Sequence, residues 1–213
     1  MNEAQLLSIQ VGAVRQHVTT DGETWTSGYG KSPVSGRVHV GRLNIAGDAQ
    51  QHKKFHGGEH RPVLMYSASH YPLWQAELGQ ALPYGSFAEN FTVSGLDEDS
   101  VCLGDIYVVG PELRLQVSQP RKPCDQISKY LGIPGMKARV DDTCRSGWYL
   151  RVLHEGYAEA GMAIQLEQRL HPEWSIRRVS TLMDQRRSRR EEALALAAIT
   201  ELELSWRERL GSV

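Results

Sequence analysis

Apolar residues in the first three quarters of the chain fall in short runs: LLSIQVGAV (6–14), RPVLMYS (61–67), FTVSGL (91–96), DIYVVG (105–110), LRLQVSQ (113–119) and GWYLRVL (147–153). β-Branched and aromatic residues dominate these runs, and Gly, Pro and Asp punctuate them, which predicts strands. Short strands at uneven intervals predict a β-rich barrel or sandwich. Helices are few in this part. The clearest is ASHYPLWQAELGQ (68–80), where Tyr71, Leu73, Trp74 and Leu78 make an apolar face and Gly79 supplies a stop. After His171-Pro172 the pattern changes. Ser175 is set to cap SIRRVSTLMD, RREEALALAAIT is strongly helix-forming, and Ser205 is set to cap SWRERL. The expected architecture is mainly β (α+β): a barrel or sandwich domain over residues 1–168, then a small three-helix domain over 169–213.

At 213 residues the chain can bury a core without metal or disulfide staples. Its 24 Lys and Arg against 25 Asp and Glu, a net charge of −1, remove the global basic excess that non-specific nucleic-acid binding requires. A nucleic-acid role would have to be local. Arg186, Arg187, Arg189 and Arg190 form the one cationic cluster, and it reads either as a solvated helix start paired with Glu191 and Glu192 or as a contact for phosphates or an acidic partner. The N-terminus lacks a basic segment followed by an apolar one, and no stretch approaches the length of a membrane span, so a cytoplasmic protein is expected. Cys102, Cys124 and Cys144 are odd in number and widely spaced, unlike a disulfide framework.

Four segments carry candidate chemistry. GYGKSPVSG (28–36) has the glycines and lysine of a phosphate loop, but Trp25 and Pro33 stand where a Walker A loop and a dinucleotide fingerprint need glycine. Lys31 and Ser32 remain as phosphate ligands on a loop, or as parts of an ordinary turn. QHKKFHGGEHR (51–61) spaces His52, His56 and His60 as helical zinc ligands would be, yet Gly57-Gly58 interrupts that helix. The better reading is a loop whose backbone approaches a ligand closely, with His56 and Arg61 beside it. Cys102 reads as a small buried hydrophobe, and Cys144 has only Arg145 as a distinguishing neighbour. In LQVSQPRKPCDQI (115–127) a strand ends in a cationic turn, and PCDQISKYLG (123–132) predicts a short helix with Cys124 in its first turn. Free N–H groups, the helix dipole, Arg121 and Lys122 favour a thiolate there, against Asp125. Nucleophile, soft-metal ligand and structural thiol all stay open.

Taken in order, KSPVSGRVHV, LNIAGDAQ, HGGEHRPVLMY, ENFTVSGLDEDSVCLGDIY and QVSQPRKPC resemble the MOSC domain, the family named for the C-terminal domain of molybdenum-cofactor sulfurase, and its YiiM type in particular. The resemblance covers most of residues 28–150, and the helical tail fits the same type. It implies a β-barrel that binds the pyranopterin molybdenum cofactor, with the metal held by the dithiolene and by one cysteine, here Cys124. A cofactor that brings two sulfurs leaves the protein one soft thiolate to add. The resemblance further implies that Lys31 and Ser32 hold the cofactor phosphate and that His56, Gly57, Gly58 and Arg61 line the pterin. Asn90 would lie near the metal, and Arg121 in the same turn as the ligand. The chain departs from related amidoxime-reducing proteins at Ala88, where those carry arginine.

The implied function is reduction of N-hydroxylated compounds, such as hydroxylaminopurines or amidoximes, a detoxifying reaction. Without a Rossmann fingerprint or a C-x-x-C-H haem signature, the chain would need a separate flavoprotein or cytochrome donor, and the tail is a candidate docking surface. One alternative is a sulfur carrier or cofactor-handling protein using a Cys124 persulfide. Another is a binding module whose arginine-rich tail recruits RNA or a partner. Pyridoxal phosphate, attached to the family through the sulfurase, needs a Schiff-base lysine that nothing here identifies.

Overall fold

A computed structural model of the chain describes residues 4–18, 22–49 and 59–213. Seven strands close a barrel: β1 (Ala4–Val11), β6 (Val63–Ser67), β7 (Phe91–Ser94), β8 (Ile106–Val109), β9 (Leu113–Pro120), β10 (Trp148–His154) and β12 (Ala163–Gln168). Their order is β12-β8-β9-β10-β6-β7-β1, and β1 returns to β12 through the antiparallel pairs Ala4↔Ile164 and Gln5↔Ala163. Closure leaves no free sheet edge in the ring. One pair is parallel, β6 with β7, because α1 (His70–Leu78) and the loop after it carry the chain back to the same end. Outside the ring, β2 (Arg15–Val18) and β3 (Thr24–Ser27) form a hairpin, β4 (Ser32–Pro33) adds to the end of β1, and β5 (Val38–Val40) pairs with β11 (Gly156–Ala158). This is the mainly β, α+β barrel that the resemblance implies, and it decides between the barrel and the sandwich that the apolar runs left open.

The two-residue period of the strands decides what fills the barrel and what lies against its outside. Val63, Met65, Leu113, Leu115, Val117, Trp148 and Leu150 all join the barrel core. Leu64 and Tyr149 alternate with them and therefore face outward. On β9 the outward Arg114 is exposed, whereas Gln116 and Ser118 further along the same face are buried. The cover there is the C-terminal segment, whose Glu203 N–H donates to the Ser118 carbonyl at 3.1 Å.

Two further clusters flank the barrel. Helices α4 (Ile176–Gln185), α5 (Arg190–Ala197) and α6 (Leu204–Gly211) bury Trp174, Leu182, Leu196 and Trp206 around Leu103, which comes from the segment before β8. Ser175 caps α4 as expected, accepting from Arg178 N–H at 3.2 Å. The cap of α6 is Glu203 and not Ser205, which lies inside the first turn and donates its hydroxyl to Glu203. A carboxylate there accepts from the Ser205 and Trp206 N–H groups and also complements the helix dipole. The third cluster joins Tyr29, Tyr66, Tyr71, Trp74 and Phe87 to Ile127 of α2 (Gln126–Leu131) and to Met136 and Val140 of α3 (Met136–Thr143), a helix that no sequence pattern announced. Tyr71 and Trp74 of α1 turn into this cluster and Gly79 ends the helix in the left-handed conformation, but Leu73 is 47% exposed.

Candidate functional site

A cleft of about 620 Å³, its open mouth included, lies on the outer side of the barrel between β6, β10 and the aromatic cluster. Leu64 and Tyr149, the outward residues of β6 and β10, form its floor. Its walls are the β3–β4 loop with Ser27, Gly28, Tyr29 and Lys31, and the segment after β9 with Arg121, Lys122, Cys124 and Gln126; Arg61, Ala88 and Asn90 complete the lining. Ser27 ties the two walls together by donating from Oγ to Gln126 Oε1 at 2.9 Å.

The turn after β9 is set by its neighbours. The Arg121 N–H donates to the Gly147 carbonyl at 3.0 Å, and the Gly147 N–H donates to Glu98 Oε1 at 2.7 Å. Gly147 has φ +78, and a Cβ there would collide with the Met65 carbonyl oxygen, so only glycine brings these strands together. Cys124 is half-buried and precedes the helix instead of occupying its first turn. Asp125 holds the cap position of α2, and the Cys124 carbonyl accepts from Ile127 N–H at 3.2 Å. Gly132 ends α2 in the left-handed conformation, as the sequence predicts.

Arg121 is 4% exposed. Its Nη2 donates to Tyr29 Oη at 2.6 Å, while Nη1 has no partner and no carboxylate pairs with it among the described residues. Burial works against its charge, while the Tyr29, Tyr149 and Cys124 side chains around it oppose that effect and its pKa is raised. Burial also pushes the Tyr29 and Tyr149 phenols up, against the pull of Arg121, so both keep their protons at neutral pH.

Lys31 is buried differently. Its side chain is 6% exposed and its Nζ lies 2.7 Å from Oδ2 of a fully buried Asp48. Burial lowers the lysine pKa and Asp48 opposes that shift. The same Oδ2 accepts from Asn90 Nδ2 at 2.9 Å, and Oδ1 accepts from Gly12 N–H at 2.9 Å. Asn90 is committed on its other side too, since its Oδ1 accepts from Leu64 N–H at 3.1 Å. The preceding turn is held by the buried carboxylate of Glu89, which accepts from Gly85 N–H at 2.7 Å, Thr92 Oγ1 at 2.9 Å and the Tyr71 hydroxyl. Between Phe87 and Glu89, Ala88 stands at φ +60 on the cleft wall.

Of the residues singled out from sequence, the cleft therefore gathers Lys31, Arg61, Asn90, Arg121 and Cys124. Ser32 is exposed on β4 and does not line it. His56, Gly57 and Gly58 lie outside the described residues, as does His52 of the zinc spacing. Cys102 is buried with its thiol toward the Pro172 carbonyl, and Cys144 closes α3. Sequence reasoning missed Asp48, Tyr29 and Tyr149. Asp48 carried a signal, since LNIAGDAQ places an acid among apolar and small residues, where a buried counter-ion for a lysine is expected. The tyrosines carried none.

A family model of the MOSC domain matches residues 52–165. The chain is 38% identical to YflK of Bacillus subtilis over 164 residues, 77% of this chain and 73% of that protein. It is 32% identical over 203 residues to a protein of Gibberella moniliformis named a reductase, covering 94% of this chain but only 35% of that protein's length. Among solved structures, the crystal structure of YiiM from Geobacillus stearothermophilus superposes with a TM-score of 0.83 at 33% identity, covering 98% of both chains.

Proposed function

Because the chain belongs to the MOSC domain family, and so to a family associated with the molybdenum cofactor, we propose that its cleft binds the pyranopterin form of that cofactor. On this reading the protein reduces N-hydroxylated compounds, such as hydroxylaminopurines or amidoximes, to the amino compound and water. The observation that carries the proposal is Arg121, a buried guanidinium with an unpartnered Nη1 and no carboxylate among the described residues, in the same turn as Cys124. A buried charge of this kind is costly until an anion completes it. A phosphate- and dithiolene-bearing ligand is such an anion, and it requires from the protein only one soft thiolate. The reductase named among the relatives supports a redox role.

When bound, the cofactor supplies a metal that cycles by two electrons. Cys124 would give the thiolate ligand. Arg121 would bind anionic oxygens through Nη1 while Tyr29 keeps its guanidinium in plane. The Lys31–Asp48–Asn90 group would hold that side of the cleft through its internal bonds, and Tyr29 and Tyr149 hold their protons on the cleft lining. Each turnover consumes two electrons and two protons, breaks the N–O bond and releases water; the electrons come from a separate flavoprotein or cytochrome. Ser32, His56, Gly57 and Gly58 remain assigned to the cofactor by resemblance alone.

Cys124→Ser tests the proposal. The change is nearly isosteric, and a hydroxyl that stays protonated near neutral pH is a poor donor to a soft metal. Protein from a cofactor-competent host should be folded but should lose reduction of a hydroxylaminopurine with an artificial electron donor, while Cys102→Ser and Cys144→Ser retain it. Full molybdenum-dependent turnover in Cys124→Ser would overturn the assignment. Transferable sulfur on Cys124 with no molybdenum bound would favour a sulfur carrier.

A further inference from the structure

The three-helix tail reaches the cleft through two ion pairs. Arg61, on the cleft wall, donates Nε to Gln119 Oε1 at 3.1 Å, and its Nη2 lies 3.1 Å from Glu203 Oε2 and 3.3 Å from Ser205 Oγ. Both members of the Arg61–Glu203 pair are largely buried, at 14% and 13% side-chain exposure. Lys122, next to Arg121, has its Nζ 2.8 Å from Asp184 Oδ2 at the end of α4 and 3.6 Å from Asp141 of α3. The tail backbone is fixed to the barrel at the same place, where Glu203 N–H meets the Ser118 carbonyl.

We propose that the C-terminal unit is a working part of the cleft, with Glu203 and Asp184 as positioning residues that hold the Arg61 and Lys122 cations at its wall and so raise its affinity for an anionic ligand. The proposal rests on the cofactor reading only for the identity of that ligand. Lysine and arginine side chains are long and lose substantial rotamer freedom when ordered, so a wall of cations binds an anion best when their positions are fixed beforehand. Glu203 is suited to this task because it is itself immobile: it caps α6 and accepts from Ser205 and Trp206 N–H groups while facing Arg61. Asp184 is the weaker anchor, since its carboxylate is largely exposed and Lys122 has Asp141 as a second partner.

Two readouts test this, one of them independent of the cofactor. Iodoacetate carries a negative charge that iodoacetamide lacks, so the ratio of their alkylation rates at Cys124, read by peptide mass on cofactor-free protein, reports the positive potential at the cleft. The second readout is molybdenum retained per chain after dialysis. In Glu203→Gln, both the ratio and the retained metal should fall about fivefold, the shift expected when one charge-assisted hydrogen bond is weakened to a neutral one. Asp184→Asn should lower both by about twofold or less. It provides the reading should Glu203→Gln fail to fold. Glu192→Gln, which removes a carboxylate bonded to Arg178 and Arg189 within the tail, should change neither. A ratio that stays at the parent value means that the tail only packs, and a ratio that rises means that its carboxylates only neutralise the cleft; either result overturns the proposal. If the parent retains no molybdenum yet the ratio falls as described, the cofactor reading fails and the positioning role stands.

Discussion

Lys31 and Arg121 reach the same cleft from different walls, and the protein buries their charges in opposite ways. Lys31 comes from a loop, meets Asp48 at 2.7 Å, and shares that carboxylate with Asn90 and Gly12. Arg121 comes from the end of a barrel strand, donates from Nη2 to the Tyr29 hydroxyl, and has neither a carboxylate partner nor a partner for Nη1 among the described residues. The first arrangement is complete without a ligand, as a structural ion pair is. The second leaves Nη1 without a partner, the place where the proposed reading puts an anion. Lining a pocket therefore does not by itself make a cation a binding residue; Lys31 and Arg121 differ in whether a buried donor is left without a partner.

The sharpest test of this comparison is a pair of methionine substitutions. Lys31→Met strands Asp48 in the interior and should destabilise the cofactor-free protein by about 3–5 kcal/mol. Arg121→Met removes a buried charge that has no carboxylate and should leave stability within about 1 kcal/mol of the parent, yet abolish cofactor retention. Urea unfolding and metal analysis of the two variants would measure both effects, and equal destabilisation would break the distinction. Tyr29→Phe is the next largest. It leaves Arg121 Nη2 without the Tyr29 hydroxyl as acceptor, a loss of about 1–3 kcal/mol, and bound cofactor should reduce that loss by supplying a replacement acceptor. Comparing thermal unfolding with and without cofactor reads the difference directly.

The smallest effect concerns the third cation, Arg61, whose partner lies in the tail. Burial raises the Glu203 pKa, but hydrogen bonds from Ser205 and the charge of Arg61 outweigh it, so the folded carboxyl titrates below its ordinary value of 4.5. A carboxyl depressed in the folded state stabilises above its unfolded pKa, and that contribution is lost as pH falls through the folded one. The stability difference between parent and Glu203→Gln should therefore be constant near neutrality and shrink below about pH 4.5. A difference that persists unchanged in acid would show that the pair contributes through packing and not through charge.

The amino-acid order determined the elements of this protein and the identity of its reactive groups. Alternating apolar runs gave the barrel strands because a strand shows its period locally, and Ser175 and Gly132 marked helix ends because caps and left-handed stops are settled within a turn. Cys124 stood out through its cationic neighbours, although it lies two residues before the helix in whose first turn that pattern put it. Tertiary structure decided which charges are already spoken for. Asp48 is 17 residues from Lys31, and Tyr29 is 92 from Arg121. Glu203 meets Arg61 only after barrel closure and helix docking have brought the tail to the end of β9. Counter-ion pairing is a property of distance in space, and the electrostatic energy that separates a lysine paired with a carboxylate from an arginine with an unpartnered nitrogen depends on burial and partners that no local window of sequence contains.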